Sequence, residues 1–194
     1  MDTIRDGDAR ISEQDFSMLI KGPDDKSKDL ATLELLRGRA GASAATRERI
    51  EQEIRNIRSG ITGESEAAYE MEFHYGDSKN RMILHDLRLE CAGRVAQIDH
   101  LLINRVLEIY VCESKHFSEG IAINEHGEFS AFWGGKAHGI PSPVEQNRRH
   151  IAVLEAVFKS GQVELPKRAG FPMTPSFSSL ILVSKRARIT RPKV

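Results

Sequence analysis

Three residues in the middle of this chain combine types and spacing suited to chemistry on a phosphodiester: Asp99, Glu113 and Lys115. Asp99 interrupts the apolar run Val95–Ile103, and Glu113 and Lys115 end the run Ile109–Lys115. Both runs have strand composition, so Gln97, Asp99 and Leu101 are expected on one face of the first strand. Ile109, Val111, Glu113 and Lys115 are expected on one face of the second. A carboxylate set in such a stripe is costly to bury unless it is paired or holds a cation. Asp and Glu oxygens are the ligands that Mg²⁺ or Mn²⁺ takes, and a bound divalent ion polarises a phosphoryl group and acidifies water. An adjacent ammonium neutralises charge that develops in the reaction and can orient the attacking water.

The two carboxylates can meet only if the strand connection has the right parity. A two-residue hairpin at Asn104-Arg105 pairs Asp99 with Tyr110 and sends Glu113 to the other face. A three-residue loop, Asn104 to Val106, pairs Asp99 with Val111 and makes Glu113 a diagonal neighbour. A bulge in either strand has the same effect. A shared cation therefore requires an odd-length loop or a bulge here.

Asp99 followed by Glu113-Ser114-Lys115 resembles the PD-(D/E)xK signature of the restriction-endonuclease-like superfamily. More narrowly, Gly63-Glu64, Gln97-Ile98-Asp99-His100, Glu113-x-Lys115, Trp133 and Pro143-x-x-Gln146-Asn147-x-x-His150 are similar to the NERD (nuclease-related) domain, over about residues 60–160. The departure from the superfamily signature is Ile98 where a proline would precede Asp99. The resemblance implies a mixed α/β fold with a central sheet flanked by helices. It also implies metal-dependent cleavage of DNA, with Mg²⁺ or Mn²⁺ held by Asp99 and Glu113.

It implies further that a helix adds one more acid. The candidates are Glu64 and Glu66; Glu64 shares a helical face with Ala67, Ala68 and Met71, and a carboxylate on that buried side is better explained by a cation than Glu66 beside Glu70. An acid near a helix start is also explained by the helix dipole. Gln97, Gln146 and His150 are placed around the ligands, Gln146 and His150 being four apart on one helical face. Arg148 and Arg149 are either phosphate contacts or the polar face of an ordinary amphipathic helix.

The elements that must position these residues follow from periodicity. Residues 1–27 read as irregular. Lys28 to Arg58 reads as two helices parted by Gly38 and Gly41, the second with Ile50, Ile54 and Ile57 on one stripe. A third helix is expected from Thr62, as N-cap, to Phe73. Strands are expected at 81–90, 94–103, 107–115, 120–124 and 128–133, a helix at 144–159 after Pro141 and Pro143, and a buried strand at 178–184. An N-terminal helical arm (1–60) thus precedes an α/β domain (61–194), and the arm is a surface through which copies could associate.

Lys plus Arg equals Asp plus Glu, at 28 each, so net charge by itself does not favour nucleic acid. The distribution is uneven, acidic over 61–160 and basic over 161–194, which suits a metal site beside a phosphate-binding surface. Cys91 and Cys112 offer neither a disulfide framework nor a zinc cage and fit a reducing, cytoplasmic setting. The opening residues lack a signal-peptide core, and no apolar run is long enough to span a bilayer. Scattered histidines without ligand spacing argue against zinc. Gly134-Gly135-Lys136-Ala137 lacks the spacing and hydroxyl of a phosphate loop. His100 and Cys112 read as core residues, and Trp133, whose ring could stack on a base, reads rather as buried beside the sheet. Two functions remain: a nuclease acting on DNA, with RNA as an alternative substrate, or a silent nuclease-fold module that binds nucleic acid or a protein partner.

Overall fold

The computed structural model describes residues 18–39 and 41–192. In chain order its elements are β1 (Leu19–Lys21), α1 (Ser27–Arg37), α2 (Ala44–Tyr75), β2 (Arg81–Cys91), β3 (Arg94–Asn104), β4 (Glu108–Lys115), β5 (Gly120–Ile123), β6 (Phe129–Trp133), β7 (Lys136–Ile140), α3 (Pro143–Lys159), β8 (Lys167–Arg168), β9 (Phe171–Pro172), β10 (Ser176–Val183) and β11 (Arg188–Thr190). One sheet has the order β1-β2-β3-β4-β10, a second has β11-β5-β6-β7, and β8-β9 form a small ribbon.

The main sheet is mixed. β2, β3 and β4 form an antiparallel meander, while β1 and β10 add at its edges in parallel. Parallel addition of β10 to β4 needs a crossover, and α3 supplies it. Ser142 caps α3 by accepting the Glu145 N–H, and Pro143 pre-sets its first turn. Val153, Leu154 and Val157 of α3 then pack on Ala96, Ile98, Leu101, Ile109 and Val111. On the opposite face Met71 of α2 packs with Ile83, Leu102 and Cys112. The sheet is thereby covered by a helix on each side.

Several expectations change. Helix α2 runs unbroken from Ala44 to Tyr75, so the helices expected at 47–58 and 62–73 are one, and the boundary expected at 60/61 falls inside it. Thr62 is no cap; its hydroxyl donates back to the Arg58 carbonyl. Leu19–Lys21, expected to be irregular, pairs with β2, while residues 1–17, for which the same is expected, lie outside the described residues. The strands β7, β8, β9 and β11 were not expected; each is short, and β7 is an exposed strand without the apolar alternation that marks a half-buried one.

The β3–β4 register also differs in detail. Ile103 pairs with Ile109 and Leu101 with Val111, so β3 and β4 end at Asn104 and Glu108 and the connection is the three residues 105–107, one place beyond the expected 104–106. Asn104 Oδ1 closes that loop by accepting the Val106 and Glu108 N–H groups. The odd length preserves the required parity. Strict alternation along β3 does not hold, because the β2–β3 ladder skips Asp86 and Asp99. Asp86 has φ 48°, and beyond this break Leu101 joins Ala96 and Ile98 under α3. Both aspartates therefore stand at an irregularity common to the two strands.

Candidate active site

The β3–β4 ladder ends at the pair His100–Cys112. One step further along the same register, Asp99 and Glu113 would oppose each other, and here the strands part. The Ser114 N–H, left without a β3 carbonyl, donates instead to Asp99 Oδ2 at 2.7 Å. A side chain thus replaces a ladder bond and fixes the aspartate at the fork.

Glu113 is 2% exposed. Its Oε1 accepts from Lys115 Nζ at 2.7 Å and from Gln146 Nε2 at 2.6 Å, and Lys115 Nζ also donates to Gln146 Oε1 at 3.2 Å. Its Oε2 lies 3.4 Å from His150 Nδ1, but neither atom has a hydrogen-bond partner. A buried carboxylate oxygen left in this way is costly. Asn147, fully buried, holds α3 in place for these contacts: its Nδ2 donates to the Val111 carbonyl at 2.7 Å and to Ser179 Oγ at 2.8 Å.

Asp99, Glu113, Lys115, Gln146 and His150 line one cleft of about 440 Å³, together with Gln97, His116, and Gly60 and Glu64 of α2. Gly63 permits the close approach of α2, since a Cβ there would lie 3.0 Å from His116 Cβ and 3.2 Å from its backbone nitrogen. Glu64 is half-buried, Glu66 exposed, so the former is the acid turned toward the sheet. Its carboxylate is ion-paired with Lys26, whose ammonium also lies 3.7 Å from Asp86. Arg148 pairs with Glu145 on the exposed side of α3, and neither it nor Arg149 lines the cleft. Of the residues picked out from sequence, Asp99, Glu113, Lys115, Glu64, Gln97, Gln146 and His150 are brought together, and the two arginines are not.

Electrostatics marks Asp99 most strongly. Burial, the Glu113 charge and the Glu64 charge push its carboxyl up to about 7, against the opposing pull of the Ser114 N–H and Lys115. Burial holds His150 below its ordinary value despite Glu113. Lys26 is drawn down by burial, yet its bond to Glu64 and the charges of Glu64, Asp86 and Asp99 leave it above its ordinary value.

Behind the fork runs a buried polar chain. His100 Nε2 meets Ser114 Oγ at 2.8 Å, His100 Nδ1 meets His85 Nδ1 at 2.7 Å, and His85 Nε2 faces Glu72 Oε1 at 3.3 Å. Burial, then His85 and Lys26, push His100 down to about 3, and burial lowers His85 against the pull of Glu72 and Asp86. His100 is therefore the bonded core residue expected. Cys112 is likewise a core side chain, its thiol raised to about 12 by burial and the Asp99 charge.

Sequence reasoning missed Asp86, Lys26 and His85, and gave Asn147 a place in the family pattern but no role. Asp86 carried the signal that picked out Asp99, a carboxylate inside an apolar strand. Lys26, 38 residues from Glu64, carried none. Trp133, expected to be buried, is 49% exposed.

A mixed sheet between helices, whose diverging strands carry Asp and Glu-x-Lys at one fork, defines a nuclease-like α/β fold. The family model of the nuclease-related domain, NERD, matches residues 59–182, well over half of the chain. The chain belongs to the NERD family. No curated protein and no solved structure matches it. No helix among the described residues is long and apolar enough to cross a membrane.

Proposed function

We propose that this protein is a metal-dependent nuclease that hydrolyses phosphodiester bonds in DNA. The observation that carries this is the fork itself: Asp99 and Glu113 converge where β3 and β4 part, with the Lys115 ammonium 2.7 Å from Glu113. The donor set fits Mg²⁺ or Mn²⁺. Glu113 Oε2 is buried without a hydrogen-bond partner, and Asp99 is a carboxylate that burial and like charge keep from ionising easily. A hard cation relieves both costs, and Mg²⁺ commonly takes only one or two protein carboxylates and keeps waters. Asp99 and Glu113 would hold it. Among the described residues no group of three His, Cys, Asp or Glu side chains is arranged around one point, so Glu64 enters only on release from Lys26.

When bound, such an ion polarises the phosphoryl oxygen and acidifies a water. The other roles belong to this chain. Lys115 reaches into the cleft and offsets charge on the pentavalent phosphoryl group. Gln146 holds both Lys115 and Glu113, fixing the ammonium relative to the carboxylate. Gln97 and His150 line the walls against which the scissile strand would lie.

The ion pair that ties Glu64 to Lys26 favours a second reading, a silent module that binds nucleic acid or a protein partner. Cleavage of linear, circular and single-stranded DNA with Mg²⁺ or Mn²⁺ separates the two. The nuclease reading expects metal-dependent cutting that falls by at least about 10²-fold in Asp99→Ala and Lys115→Ala. No cutting, together with no calorimetric Mn²⁺ binding that depends on Asp99 and Glu113, would leave the second reading.

A further inference from the structure

The tip of the β6–β7 hairpin carries an arrangement that the cleft does not use. Trp133 is the one tryptophan of the chain and is 49% exposed. Its ring lies on His138 with centroids 4.1 Å apart and planes 7° from parallel. One face is thus covered and the ring is held, while the opposite face and edges carry the exposure. The mount is rigid. Gly134 and Gly135, with φ 60° and 71°, make the two-residue turn, and both of their N–H groups donate to the Glu119 carboxylate, at 2.6 and 3.0 Å. Lys136 stands opposite Trp133 in register, is exposed, and makes no ion pair among the described residues.

The tip is also tethered to the cleft. Glu119, which braces the tip, follows Lys115 by four residues, so their Cα atoms lie at most ~14 Å apart. We propose that Trp133, with Lys136 beside it, is a stacking platform for an unpaired base of the strand that enters the cleft. This rests on the nuclease reading and narrows its substrate to DNA with single-stranded character. An aromatic face needs a free base face, and in a duplex those faces are already stacked. A pre-stacked ring on a braced turn loses little freedom on binding. The exposed ammonium is then placed for the phosphate next to that base.

The lone tryptophan makes the test direct. The full chain is titrated in chelator, so that nothing is cut, with an oligodeoxythymidylate and with a blunt duplex hairpin. The expected result is quenching of Trp133 emission by the single strand and none by the duplex. Trp133→Ala should weaken single-strand binding about 10-fold, read by anisotropy of a labelled oligomer, and leave duplex binding unchanged. Trp133→Phe should keep most of the affinity, which guards against misfolding of the alanine variant. Single-strand binding without quenching, or an equal loss for both DNAs in Trp133→Ala, would overturn the platform alone. Failure of every DNA to bind would overturn the platform, and the nuclease reading falls with it only where Mg²⁺- or Mn²⁺-dependent cutting is absent as well.

Discussion

Replacing Asp99 by Asn should stabilise the metal-free protein at high pH. The folded protein holds the Asp99 proton up to about 7, whereas an unperturbed aspartate releases it at 3.8. Between these values the folded state binds the proton more tightly than the unfolded chain, so stability falls as pH rises from about 4 to about 7 and stays low above. The gap corresponds to about 4 kcal/mol at ~1.4 kcal/mol per pH unit. Roughly a third of that is already present at pH 5, and Asp99 keeps part of its surface in water. The advantage of Asp99→Asn over wild type should therefore grow by about 2 kcal/mol between pH 5 and pH 8. Asn fits because its Oδ1 can still accept the Ser114 N–H. His100 contributes the opposite slope: its value near 3 means stability present above pH 6.5 and lost as pH falls toward 3. His100 is common to both proteins, so the difference isolates Asp99. Urea unfolding in chelator across pH 5–8.5 measures it. A difference that does not change with pH, or a variant less stable at pH 8, would refute the electrostatic account of the fork. Mn²⁺ should then stabilise wild type above pH 7 and leave Asp99→Asn unchanged.

Two further outcomes test the supports. Gln146→Ala removes the amide that bonds both Glu113 and Lys115; cleavage rate or Mn²⁺ affinity should fall about 10- to 100-fold while Tm shifts little. Gly63→Ala places a methyl 3.0 Å from His116 Cβ. The helix gains up to ~1 kcal/mol in propensity, but the clash with the strand exit costs about 1–3 kcal/mol, so thermal unfolding should show a net loss.

The sequence by itself determined the acids and the lysine, because a charge inside an apolar strand is conspicuous wherever the strand lies. It also determined the strands β2 to β6 and helix α3, whose periodicity is local and strong. Only the parity of the β3–β4 loop could be stated as a requirement; its length was decided by Asn104 bonding across to Val106 and Glu108. Tertiary structure alone decided the rest. The break depends on Asp86 and Asp99, 13 residues apart on neighbouring strands, being irregular together, which no single-strand pattern reveals. That α2 runs through Gly60 and Gly63 instead of ending near them depends on packing against the strand exit at His116, which outweighs the poor helix propensity of glycine. The pairing of Lys26 with Glu64 and Asp86, and the exposure of Trp133 on a turn braced by Glu119, join residues distant in the chain. Charge pairing and burial are set by what the fold brings near, and a linear sequence records only what is adjacent along the chain.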